Sequence, residues 1–244
     1  MWVSVLLSVV VGAIAGRSIA AEVSAHRKQR PDRWWDPECD VCDGSLTATM
    51  IRCTPEGHPQ RVMTPLLTVI SGITFGAVAS AVPSLWVLPA YLVFAAAMVT
   101  LTVTDLDTKL IPNRILGPAT AISGTALIVG GLIDADISAV VRGAAGGLIY
   151  FGGMFLLALI ARGGLGFGDV KLAFLIGVFA GYIGWGPLVV AAVGGFLIGG
   201  LVAIVLLVTR LSRRKDSIPF GPFMTLAGII AVVFGDDITR WYLR

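Results

Sequence analysis

Thr104-Asp105-Leu106-Asp107-Thr108-Lys109-Leu110-Ile111-Pro112-Asn113 joins two long apolar runs, and Gly166-Phe167-Gly168-Asp169 stands between two others. Asp105 closes the apolar stretch over residues 91–104. Pro112 suits the restart of a helix, because a first-turn residue has no need of its N–H. Asp169 follows the glycine-rich turn Gly163-Gly164-Leu165-Gly166-Phe167-Gly168, where glycines allow positive φ and close backbone approach. Acids at membrane depth are costly to hold and are functional candidates by default. Two of them at equivalent depth point to one shared site, in which paired carboxylates divide acid and base duties.

The rest of the chain supplies the membrane. Of 244 residues, 56% are hydrophobic and 14% charged, with a mean hydropathy of +0.88. Soluble domains carry about 25% charged residues, so the composition excludes a globular domain with a single anchor. A helix needs about 20 mostly apolar residues to cross a bilayer. Eight such runs are expected, at 2–21, 65–82, 86–104, 114–133, 141–161, 170–184, 187–209 and 222–239. The sixth is short, and Asp236-Asp237 interrupt the eighth. The fold class is therefore all-α: a polytopic membrane protein of about eight transmembrane helices. No basic residue precedes the first run and no clear small-residue cleavage site follows it, so it reads as a retained helix and not a signal peptide. The 30 glycines fit this setting, where small residues let helices approach closely.

Lys and Arg orient the chain. Arg17, Arg27, Lys28, Arg30, Arg33, Arg52 and Arg61 lie in or beside the first polar loop. Lys109, Arg114, Arg162, Lys171, Arg210, Arg213, Arg214 and Lys215 fall in alternate loops after it, leaving Arg142, Arg240 and Arg244 on the opposite side. The loop with Asp134 and Asp136 is acidic. The basic loops are expected in the cytoplasm and both termini outside. Asp105 and Asp169 then fall on the cytoplasmic side. The domain plan is a first helix over 1–21, a cytoplasmic loop over 22–64 and a membrane domain over 65–244.

Each acid also has a plainer reading. Asp105 and Asp107 could mark a membrane edge, Asp107 could pair with Lys109, and Asp169 could be an N-cap. Taken as a pair, they suit peptide hydrolysis by an activated water. Two close carboxylates hold one proton between them. The ionised member takes a proton from the attacking water, and the protonated one assists the carbonyl oxygen or the leaving amine. A Ser-His-Asp arrangement competes poorly, since His26 and His58 both lie in the polar loop.

The two stretches, the second read on through Val170-Lys171-Leu172, and the later Ile218-Pro219-Phe220-Gly221-Pro222-Phe223 resemble the type IV prepilin peptidases, membrane aspartic proteases with a Gly-x-Gly-Asp motif. The resemblance covers essentially the whole chain. It implies that Asp105 and Asp169 are catalytic, with Lys171, Pro112 and the Pro219-to-Pro222 loop in support. It also implies the reaction, removal of a short basic leader from prepilins or pseudopilins after a glycine, at the cytoplasmic face of the inner membrane. Proteolysis of this kind requires no cofactor. Many bacterial members also methylate the new N-terminus with S-adenosylmethionine.

The polar loop departs from the family. Fuller members carry two Cys-x-x-Cys pairs, consistent with a zinc ribbon. Here Cys39-Asp40-Val41-Cys42 supplies one pair and Cys53 alone stands for the second. Glu56 or His58 could complete a tetrahedral zinc site, since zinc accepts S, N and O ligands. A metal-free, degenerate loop is the alternative, and a cytoplasmic position argues against a disulfide. Trp34-Trp35, Trp86, Trp185 and Trp241-Tyr242 read as interface anchors. Two other functions remain open at this stage. One is a small transporter using Asp105 and Asp169 as a proton or ion relay, which would favour internal repeats that the sequence does not display. The other is a non-catalytic assembly factor. Nothing in the composition points to nucleic acid.

Overall fold

In a computed structural model of the chain, the described residues are 2–27, 63–82, 84–161, 165–209 and 219–244. The candidate metal ligands Cys39, Cys42, Cys53, Glu56 and His58 lie outside them, as do Trp34 and Trp35. The described residues form eight helices: α1 (Trp2–Arg27), α2 (Met63–Ala81), α3 (Leu88–Thr108), α4 (Asn113–Ile133), α5 (Ile137–Ile160), α6 (Phe167–Ile183), α7 (Trp185–Val208) and α8 (Gly221–Tyr242). Each expected apolar run has its helix. Of the eight, α3, α4, α5, α7 and α8 are long and apolar enough to cross a bilayer. The 17 residues of α6 reach the lower end of the usual spanning length. The apolar parts of α1 and α2 are shorter, at Val3–Gly16 and Leu66–Ala81.

Several helix ends differ from the sequence reading, three of them where a polar residue had seemed to stop a run. Asp105 does not end α3, which continues a further turn to Thr108. Lys109 closes it in the left-handed conformation (φ 54°), donating its N–H to Asp105 O at 2.8 Å. Asp236 and Asp237 do not interrupt α8. They lie exposed on a turn that runs on to Tyr242, and Asp237 pairs with Arg240 at 2.7 Å. Asp169 is not an N-cap either. Gly166 holds that position, and Asp169 falls inside the first turn of α6. Pro112 is the N-cap of α4, its carbonyl accepting from Ile115 and Leu116.

The chain packs as two units, residues 1–80 and 81–244. In the first, α1 meets α2 through Gly12 and Gly16. A Cβ on Gly12 would come 2.7 Å from the Phe75 side chain, and one on Gly16 2.8 Å from Leu67 O, so only glycine permits this approach.

In the second unit α3, α6 and α8 form the inside. Tyr91, Phe94, Met98, Phe179, Ile176 and Met224 are fully buried among them. The Phe94 and Phe179 rings stack at 4.5 Å, Tyr91 meets Phe179 edge-on at 4.9 Å, and the Tyr91 hydroxyl donates to Phe179 O. The other three helices keep apolar outer faces, such as Leu148, Leu156, Leu197 and Leu201, which suit contact with lipid. The tightest pair is α5 with α6. A Cβ on Gly146 would stand 2.7 Å from Gly177 O, and one on Gly177 2.6 Å from Gly146 O. Backbone meets backbone there, and the contact sets the depth of α6.

Charge finishes the helix ends. Asp136 caps α5, accepting from Ala139 N–H at 3.0 Å and from the Ser138 hydroxyl. Those bonds, the backbone one foremost, hold its carboxyl below the ordinary value. Arg142 donates to the carbonyls of Gly181, Tyr182 and Ile183, satisfying the last turn of α6 with a cation where the helix dipole is negative.

Candidate active site

Three motif stretches distant in sequence meet at one end of the second unit. Asp105 comes from the last full turn of α3 and is 4% exposed. Its Oδ2 accepts the Gly221 N–H from the start of α8 at 3.0 Å. A helix N-terminus offers unpaired N–H groups and a positive field, so this carboxylate is held by α8 as well as by its own helix. A Cβ on Gly221 would lie 2.6 Å from the same oxygen, so the residue must be glycine for the approach to occur.

Asp169, in the first turn of α6, is 9% exposed. A Cβ on Gly166 would stand 3.4 Å from Asp169 Oδ2, and the Asp169 N–H donates to Gly166 O at 3.1 Å. Gly168 packs against the turn that follows Asp105: a Cβ there would meet Ile111 Cβ at 2.9 Å. Lys171 Nζ donates to Asn113 Oδ1 at 2.9 Å and lies 5.1 Å from the Phe167 ring centroid. These contacts dock the Gly-x-Gly-Asp turn onto the α3–α4 connection, and the two carboxylates come within reach of each other's charge. Asp107, on the same last turn of α3 as Asp105, is exposed.

Beneath the acids the polar groups are few and placed. The hydroxyls of Thr102 and Thr225 meet at 2.6 Å, joining α3 to α8 one turn below the Asp105–Gly221 bond. Tyr150 of α5 points its hydroxyl into the same layer. Neither placement was readable in the sequence. Thr225 and Tyr150 are lone polar residues in apolar runs, and only their burial singles them out. Beside the acids a groove of about 700 Å³ runs between α4 and α5–α6, walled by Leu116, Gly117, Leu148, Phe151 and Phe174, with Lys171 and Asn113 also lining it. A mostly apolar wall offers hydrocarbon a surface and gives ions little to bind. Among the described residues no cluster of His, Cys, Asp and Glu could hold a metal.

Residues 92–204, from α3 into α7, match the model of the type IV leader peptidase family. A prepilin leader peptidase/N-methyltransferase of Bacillus subtilis is 30% identical over 84% of this chain and 84% of its own length. The chain belongs to this family. Relatives of the same name in Aeromonas hydrophila and Pseudomonas aeruginosa are 31% and 29% identical over 79% and 74% of the chain. The chain spans 65% and 61% of the length of those two. No solved structure matches it significantly.

Proposed function

We propose that the chain is an intramembrane aspartic endopeptidase that removes the short basic leader of type IV prepilins or pseudopilins. The observation that carries this reading is the meeting of Asp105, Asp169 and the Gly221 N–H in one buried place. Two buried carboxylates that act on each other's charge favour holding one proton between them. The ionised one accepts a proton from water as its oxygen attacks the scissile carbonyl. The protonated one donates to the carbonyl oxygen. The carboxyl that took water's proton then passes it to the leaving amine while the other recovers its proton from the diol, and the amide C–N bond breaks without a covalent enzyme intermediate. The fixed N–H of Gly221 keeps Asp105 in place while its charge changes.

The distribution of Lys and Arg supports a cytoplasmic position for the pair, the side on which a basic leader would remain. A relay of ions explains the two acids but not a third motif whose backbone N–H is committed to one of them. The relatives' name also carries N-methyl transfer, for which S-adenosylmethionine would be the donor. The carboxylate geometry supports the hydrolytic half.

The test is cleavage of a co-expressed prepilin in membranes by wild type, Asp105→Asn, Asp169→Asn and Asp107→Asn. Asparagine keeps the shape and removes the ionisable group. Processing should disappear in the first two variants and persist in the third. Cleavage by both of the first two would end the protease reading.

A further inference from the structure

Hydroxyls in this bundle find partners with great regularity. Thr100, Thr102, Thr104, Thr120 and Ser123 each donate to the carbonyl four residues back, at 2.6–2.8 Å. Tyr91 reaches across to Phe179 O on α6. Among the described residues two buried hydroxyls have no partner, Ser71 and Tyr150. Rotation about one bond gives a helical serine the same carbonyl that its neighbours use. A tyrosine has no such escape, because its rigid ring holds the hydroxyl far from its own backbone. Buried polar groups are nearly always bonded, so an orphan in this setting asks for a ligand or a water.

The place of Tyr150 says which. From the contacts of Gly146 and Gly147 with Gly177 and Phe174, α5 and α6 run antiparallel, and a step from Gly147 to Tyr150 moves toward Asp169. A Cβ on Gly195 of α7 would stand 3.8 Å from the Tyr150 hydroxyl and 3.5 Å from Met224 Cα on α8. Met224 lies one turn beyond Gly221, the residue that holds Asp105. The hydroxyl therefore enters the layer beneath the acids, with Asp169 on the helix packed against α5. The two do not bond directly. Polar groups that face each other beyond direct hydrogen-bond distance in a closed site are commonly joined by water.

We propose that the Tyr150 hydroxyl donates to a water shared with Asp169, fixing the orientation of that carboxylate and of the water it activates. Tyr150 is then a positioning residue whose phenol neither gains nor loses a covalent bond. The idea rests on the dyad reading above.

Tyr150→Phe removes one oxygen and keeps the ring, so the core stays filled. The full chain in lipid nanodiscs, assayed on a purified prepilin, should lose about tenfold or more in kcat with KM within about twofold, the pattern of an interaction that matters in the transition state. Its melting temperature should be close to wild type, since the hydroxyl makes no bond to another protein group. Wild-type kcat, a loss confined to KM, or a loss that comes with a lower melting temperature would each overturn the proposal. Asp105→Asn and Asp169→Asn run alongside keep the two readings separate. Inactivity of both with a fully active Tyr150→Phe removes only the role of Tyr150. Activity in both removes the protease reading and the tyrosine with it.

Discussion

Asp105 is placed by a single glycine of α8 as well as by its own helix. Gly221 gives up its side chain so that its N–H can reach Oδ2 at 3.0 Å, and a methyl group there would sit 2.6 Å from that oxygen. The Gly221→Ala variant should therefore push the carboxylate aside while α8 still forms, because alanine favours helix. A displacement of about 1 Å at a catalytic group costs roughly 100-fold in rate. Cleavage by this variant should fall by about that factor with expression and melting temperature close to wild type. An active Gly221→Ala enzyme would mean that Asp105 does not need the α8 bond. At this scale the sequence was legible where chemistry is concentrated in motifs. Asp105, Asp169, Lys171 and the loop before α8 stand out by residue type beside apolar runs. Tyr150 and Thr225 do not, because a lone polar residue in an apolar run has the same pattern whether it faces lipid, a neighbour or a site. Only burial against neighbouring helices gives it meaning.

Helices in this protein are held together by what glycines leave out. Gly146 and Gly177 put α5 and α6 in backbone contact, and this pairing brings Asp169 to its depth beside the α3–α4 turn. Adding a methyl at either position collides with a carbonyl that cannot move. Overpacking of this kind costs about 1–3 kcal/mol. Gly152, on the same helix α5, has nothing within 4 Å of an added Cβ, so alanine there should gain up to about 1 kcal/mol of helix propensity. Thermal unfolding of the three alanine variants in detergent checks the contrast: Gly146→Ala and Gly177→Ala below wild type, Gly152→Ala at or above it. Equal melting temperatures for all three would refute the backbone contact. Existence of the elements was readable, because an apolar run of membrane length has few other fates. Their ends were not. Asp105 and Asp169 resembled boundary residues, since polarity in a sequence cannot distinguish a helix end in water from an acid buried inside a helix. Nor could the glycines name their partners: their spacing announces a close contact without saying which helix makes it.

At the scale of the whole molecule, composition and charge act on different questions. Hydropathy decides that the chain lies in a bilayer, and the placing of Lys and Arg is the basis on which we propose which way up. The basic run Arg213-Arg214-Lys215 and the acidic pair Asp134 and Asp136 fall on opposite sides of the plan. Moving such a basic cluster across the membrane is unfavourable, and anionic headgroups on the cytoplasmic leaflet hold it at about 1 kcal/mol per charge. The orientation is testable without any assay of cleavage. In a background with Cys39, Cys42 and Cys53 replaced by serine, a cysteine at Asp134 should react with a membrane-impermeant maleimide in intact cells freed of their outer barrier. A cysteine at Ser212 should react only after the membrane is opened. The reverse pattern would put Asp105 and Asp169 on the far side from any basic leader retained in the cytoplasm, and would separate the chemistry of the pair from the substrate proposed for it.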